Sequence, residues 1–156
     1  MTDPDLAPLD ADAVAARLGL VAHPEGGRYR ECFRSALRVR GDDGRERSAS
    51  TAIYYLLAPG QRSAWHRVRA DEVWHHYAGG SLRLYRLGMG PAKLGWDCPQ
   101  AVVPADVWQA AEPETSAVLV GCTVAPGFEF EDFELADPAT LSAAFPAEAA
   151  LIARLS

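Results

Sequence analysis

From residue 50 to residue 124 the chain is a series of short apolar, aromatic and β-branched runs separated by glycine and proline. That spacing predicts an all-β barrel or sandwich rather than a helical protein. Ser50 to Leu57, Trp65 to Val68, Glu72 to Tyr77, Leu82 to Leu87, Ala101 to Val103 and Ala117 to Val124 read as strands. Pro59-Gly60 ends the first of these, while Gly41-Asp42-Asp43-Gly44, Gly79-Gly80 and Gly88-Met89-Gly90 read as turns. Upstream, an acidic first turn before Val14 and Leu18, with Gly19 as a stop, predicts a short helix over Asp12 to Leu18. The loop His23-Pro24-Glu25-Gly26-Gly27 follows, and Arg28 to Phe33 resumes extended chain. Phe128 to Glu131 alternates with period two and Phe133 to Leu135 continues it after a slip at Asp132, which predicts one half-buried strand with a bulge. The alanine-rich tail from Pro138 to Leu155, broken by Pro146, predicts two short helices packed outside the barrel.

Composition narrows the partners. At 156 residues, 49% hydrophobic and 23% charged, the chain has the balance of a single globular domain. The net charge is −6 and the arginines are spread along the chain, which argues against nucleic acid. No apolar run reaches the roughly 20 residues of a membrane helix, and the N-terminal stretch is acidic where a signal peptide is basic. A cytoplasmic location is the expectation. Cys32, Cys98 and Cys122 are odd in number and widely spaced, so they are read as reduced and structural.

One stretch has a distinctive rhythm: Gly60, five residues, His66-Arg67-Val68, three residues, Glu72, six residues, Gly79. It resembles the first cupin motif, with Val68 in place of the second histidine. Pro104-Ala105-Asp106-Val107-Trp108-Gln109 resembles the second motif, with Asp106 for its glycine and Gln109 for its histidine. The longer string resembles the family called cupin five, long catalogued as a domain of unknown function. It comprises His23-Pro-Glu-Gly-Gly, Ala52-Ile-Tyr-Tyr-Leu-Leu, Trp65-His, Asp71-Glu-Val-Trp-His, Val103-Pro, Trp108-Gln-Ala-Ala, Leu119-Val-Gly-Cys-Thr-Val-Ala-Pro-Gly-Phe and Glu131-Asp-Phe-Glu-Leu-Ala. The resemblance implies one jelly-roll domain over residues 1–156, with its core at about 20–136 and a helical tail at 137–156, like the nucleotide-sugar 3,5-epimerases in fold. It also implies a homodimer.

By the same resemblance His66, Glu72 and Gln109 stand at the metal positions. That set leaves open one divalent ion, Zn, Mn, Fe or Ni. Valine and glutamine in place of two imidazoles favour a site without metal. The competing arrangement is a polar network in which His66 bonds Glu72 and Gln109 caps the pair. Glu72, Trp74 and His76 share a strand face, but His76 lies about 13 Å from Glu72, and only a bulge would bring His75 inside. His23 and Glu25, in the glycine-rich loop, are candidate ligand contacts, as are Trp74, His76, Trp108 and Gln109. Adjacent tyrosines must face opposite ways, and Tyr54 is taken as a candidate proton donor. Trp65 is a further candidate wall, whereas Arg28 and Arg30 read as exposed.

The expected function is binding of a small polar metabolite in the barrel. The leading chemistry is that of an isomerase or epimerase, with His66 as base oriented by Glu72 and Tyr54 as acid. The alternatives are a non-catalytic module for a sugar or nucleobase and a weakly metal-dependent enzyme. Oxygenase chemistry is disfavoured for want of a second histidine.

Overall fold

The computed structural model describes residues 8–156, so Asp3 and Asp5 of the acidic N-terminal stretch lie outside the described residues. Helix α1 (Ala11–Leu18) is capped by the Asp10 carboxylate and stopped by Gly19 in the left-handed conformation. Strands β1 (Val21–Ala22), β2 (Arg28–Arg34), β3 (Arg38–Arg40), β4 (Glu46–Ser48), β5 (Thr51–Leu57), β6 (Ser63–Val68) and β7 (Asp71–Gly79) follow. After them come β8 (Leu82–Arg86), β9 (Ala92–Leu94), β10 (Gln100–Val103), β11 (Gln109–Pro113), β12 (Val118–Ala125) and β13 (Phe133–Leu135). Helices α2 (Pro138–Ala144) and α3 (Ala149–Arg154) close the chain, on either side of the break at Pro146 that the sequence predicts.

Two antiparallel sheets face each other. One has the order β1-β2-β5-β12-β7-β10, the other β13-β6-β11-β8-β9, and β3 and β4 form a separate hairpin. The mostly-β jelly roll expected from the strand spacing is therefore the fold, with the sheets left open rather than closed into a barrel. Alternation along each strand sends one set of side chains between the sheets. Tyr55, Leu57, Trp74, Leu82, Leu84, Val118 and Val120 form that inner core. The other face of the five-stranded sheet is covered by the tail, where Trp65, Leu87 and Ala110 pack against Leu141, Ile152 and Leu155.

β1, β3, β4 and β9 are strands that the sequence reading did not name, and two further elements differ from it. Gln109–Pro113 is a strand although its residues are poor β-formers, because it lies between β6 and β8 and pairs with both. Phe128 to Asp132 is loop and a 3-10 turn rather than strand, because Pro126, with no N–H to donate, ends the ladder after β12. No helix among the described residues is long and apolar enough to cross a membrane.

Candidate functional site

The His23–Gly27 loop joins β1 to β2 and is fastened to the far sheet. Its Glu25 carbonyl accepts from Ala64 N at 2.7 Å, and the Tyr55 hydroxyl donates to the carbonyl of Gly26. Gly26 has φ 111°, and a Cβ there would collide with the Arg62 carbonyl oxygen, so a bulkier residue could not make this approach. The outcome is that Glu25, from a loop outside the motif, enters one end of the sandwich beside His66.

There it lines a cavity of about 230 Å³. His23, Glu25, His66, Glu72 and Cys122 supply polar surface at depth, Thr51 and the more exposed Arg30, Glu31, Arg34 and Glu129 supply the rest, and Tyr29, Ile53, Val68, Phe128, Phe130 and Phe133 form much of the apolar wall. Val68, in the place of the family's second histidine, is part of that wall. His66 Nε2 lies 3.0 Å from Glu25 Oε2, and its Nδ1 lies 2.8 Å from the Ala64 carbonyl oxygen. A carbonyl can only accept, so Nδ1 carries a proton. Nε2 and Glu25 then have a single proton to share between them, as a carboxylic acid facing an imidazole or a carboxylate facing an imidazolium. Burial pushes the Glu25 carboxyl up and the His66 imidazole down, which favours the neutral form of the pair. His23 Nδ1 accepts from the Glu25 backbone N–H at 3.1 Å, which puts the His23 proton on Nε2.

Glu72 has a different partner from the one the sequence suggests. Gln109 Nε2 donates to Glu72 Oε2 at 3.2 Å, and Gln109 Oε1 accepts from the Trp74 indole at 2.9 Å. The chain of three fixes the amide orientation, with oxygen toward the indole and nitrogen toward the carboxylate. Burial raises the Glu72 carboxyl, the charge of His66 lowers it and that of Glu25 raises it further. Cys122, read from sequence as structural only, lines the cavity next to Glu72, and burial there holds it as a neutral thiol.

The structure thus brings His66, Glu72, His23 and Glu25 to one cavity and places the other candidates elsewhere. The direct His66–Glu72 bond gives way to His66–Glu25, because the loop delivers a carboxylate to Nε2 and Gln109 holds Glu72. Tyr54 points to the outer face of its sheet, against Tyr77 at 6.2 Å between ring centroids, while Tyr55 takes the inner position. The bulge in β7 falls after His76, too late to turn His75 inward, and His75 bonds Thr123 on the outer face. His76 bonds the Gly80 carbonyl at 2.9 Å and lines a separate depression with Trp96. Trp108 lies under the Arg67 guanidinium, and Trp65 lies beneath the tail helices. Trp74 and Gln109 are buried behind the cavity as supports rather than contacts. Reasoning from sequence missed Tyr29, Phe128, Phe130 and Phe133. The Phe-Glu-Phe run is the only signal that could have found them.

The metal set does not fit an ion. Gln109 turns its one donor oxygen to the indole, His66 spends both ring nitrogens within the protein, and Val68 offers no donor atom. Among the described residues no group of three or more His, Cys, Asp or Glu side chains is placed to hold one.

Comparison with known proteins agrees with the architecture. The chain is 30% identical over 139 residues to the uncharacterized protein YML079W of Saccharomyces cerevisiae, a match covering 72% of this chain and 68% of that one. Protein SO0799 of Shewanella oneidensis is 37% identical, with a TM-score of 0.86 over 95% of this chain and 98% of that one. A hypothetical protein from Leishmania major is 30% identical, with a TM-score of 0.87 over 94% and 98%. Farther off, the oxalate decarboxylase of Bacillus subtilis shares the fold at 16% identity and a TM-score of 0.55, over 86% of this chain and 36% of that one. The family model described as Cupin superfamily (DUF985) matches residues 12–136, and the chain belongs to that family.

Proposed function

We propose that this cupin binds a small polar metabolite in the cavity between its sheets and moves a proton on it, as an isomerase or epimerase does. The carrying observation is the His66–Glu25 contact at 3.0 Å on the surface of a cavity that also receives Glu72. Both nitrogens of His66 are engaged, so the group that meets the ligand is the Glu25 carboxyl. When the shared proton moves onto His66, Glu25 becomes a carboxylate able to take a proton from a carbon next to a carbonyl. Glu72, whose carboxyl is raised by burial, is suited to donate to that carbonyl oxygen. Glu25 then returns its proton to the neighbouring carbon, or to the same carbon after the intermediate has turned over, while Glu72 recovers one from the enediol oxygen, and the cycle closes with no co-reactant.

The cavity volume limits the ligand. Pockets for drug-sized molecules run from about 300 Å³ upward, so about 230 Å³ suits a small metabolite and not a nucleotide sugar. A non-catalytic binding module is the second reading, favoured by the completeness of the Trp74–Gln109–Glu72 and Ala64–His66–Glu25 chains. Incubation with a panel of small hydroxy- and amino-carbonyl compounds in D₂O, followed by NMR, separates the two. The proposal expects deuterium to enter at the carbon next to the carbonyl of one member. Glu25→Gln and Glu72→Gln should each exchange it at least about 100-fold more slowly, the usual lower bound for a general acid or base. Saturable binding without exchange supports the module instead, and undiminished exchange in both variants removes the carboxyls as the groups that move the proton.

A further inference from the structure

The cavity's charges and aromatic rings are unevenly distributed. Its deep polar surface is acidic, with Glu25 and Glu72 both buried and each within reach of the other's charge. Two arginines stand at the rim, Arg34 held by carboxylates and Arg30 turned toward the outer face of its sheet. Arg34 donates from Nε and Nη2 to both oxygens of Glu31 at 2.8 and 2.9 Å, from Nη1 to Glu129 at 3.2 Å, and from Nη2 to the Phe128 carbonyl at 2.9 Å. Arg30 lays its guanidinium over the Tyr54 ring, 5.5 Å from the centroid, on the outer face of the sheet. The imidazoles offer no fixed cation either, because burial pushes both His23 and His66 toward their neutral forms. An anionic ligand entering here would meet two buried carboxyls at depth, with the rim arginines turned to Glu31, Glu129 and the Tyr54 ring.

The wall supplies the complement. Phe128, Phe130 and Phe133 stand edge to face, with centroids 5.1, 6.1 and 6.2 Å apart, and Phe130 stays 54% exposed where the wall opens. Tyr29 and the His23 ring continue the aromatic surface at 4.4 Å from each other. Ring faces carry negative potential and attract an organic cation stripped of water. Aromatic rings and buried carboxyls lining one cavity make a pocket for a compact positive group.

We propose that the ligand of this cavity is a small organic cation, its ammonium group seated among Phe128, Phe130, Phe133 and Tyr29, where its charge favours the ionised forms of Glu25 and Glu72. This rests on the cavity being the ligand site. It also joins the two parts of that site, since a positive nitrogen acidifies the C–H bonds on the adjoining carbon and so eases proton removal by a carboxylate.

Choline, the alcohol 3,3-dimethylbutan-1-ol, which is its uncharged carbon isostere, and the anion 3,3-dimethylbutanoate test the charge preference at nearly constant shape. Binding is followed at neutral pH by NMR shifts of the cavity residues, in the parent protein, Glu72→Gln and Phe130→Ala. Phe130 is exposed enough that its loss should leave the fold intact, which keeps the test valid if Glu72→Gln folds poorly. Choline is expected to bind at least tenfold more tightly than the alcohol, with the carboxylate weakest. The margin should shrink in both variants. Equal or tighter binding of the alcohol overturns the cationic class while leaving the cavity as a ligand site. Failure of all three to shift cavity residues overturns this inference and counts against the ligand site too.

Discussion

Glu25, Glu72 and His66 each give up hydration on burial, and a carboxylate or imidazolium moved from water into protein is costly unless paired. That cost makes stability depend on pH in a definite direction. Folding raises the Glu72 carboxyl above its ordinary value of 4.5, so the folded state holds that proton more tightly than the unfolded one. Stability is therefore lost as pH rises from about 4.5 through the raised value. Glu25, raised in the same sense, acts with it, whereas His23 and His66, pushed below 6.5, cost stability as pH falls through their own range. Glu25, His66, Cys122 and Gln109 are the groups facing Glu72 that tune this window. Glu72→Gln should match the parent near pH 4 in melting temperature and exceed it by a margin that widens as pH rises through the raised value. A margin independent of pH would show that Glu72 is not held protonated by burial. Little of this was legible in sequence: the motif spacing singled out His66 and Glu72, but the pairing of Glu25 with His66 depends on a loop folding across to the opposite sheet. The choice between Tyr54 and Tyr55 likewise needed the register of β5, since either residue satisfies the alternation.

At the scale of elements, the cavity wall is held by a hairpin the strand reading passed over. Arg47, buried on β4, donates to both oxygens of Asp132 at 2.6 and 2.8 Å and also grips Asp43 in the hairpin turn. Asp132 ends the 3-10 turn that carries Phe130 and precedes Phe133, so this pair ties the aromatic wall to the body of the protein. Asp132→Ala leaves the buried Arg47 guanidinium with Asp43 alone and should cost about 1–3 kcal/mol in denaturant unfolding. A cost under about 1 kcal/mol would mean that the wall is held by its phenylalanines alone. The glycine loop sets the second element-scale expectation. Gly26→Ala forces a positive φ and a collision with the Arg62 carbonyl, so it should destabilise by about 1–3 kcal/mol. It should also draw Glu25 away from His66. Strand β11 escaped the pattern because Ala110 and Ala111 are there for close packing between neighbouring strands, and alanine announces no strand by itself. Phe128 to Asp132 misled for the opposite reason, since period two arises wherever phenylalanines and glutamates alternate, including in a wall folded over a cavity.

For the whole molecule, the strand spacing and family string were enough to predict the jelly roll with its tail helices outside, because turns and apolar runs are local signals. Assembly is a separate matter. The outer face of the six-stranded sheet exposes Phe33, Tyr77 and Val102, each between 47% and 54% accessible, and this is the face on which we place the homodimer that the resemblance implies. Sedimentation at micromolar concentration should give a dimer, and Phe33→Lys with Val102→Lys should shift it toward monomer. A monomeric parent protein would remove the dimer. The function proposed for the fold depends on the loop at one end of the sandwich delivering Glu25 to His66. The ¹⁵N shifts of the His66 ring, recorded at neutral pH for the parent protein and for Glu25→Gln, measure that contact directly. A protonated Nδ1 is expected, with an Nε2 resonance that moves when the carboxyl becomes an amide. An unprotonated Nδ1, or an Nε2 resonance indifferent to the substitution, would contradict the pairing.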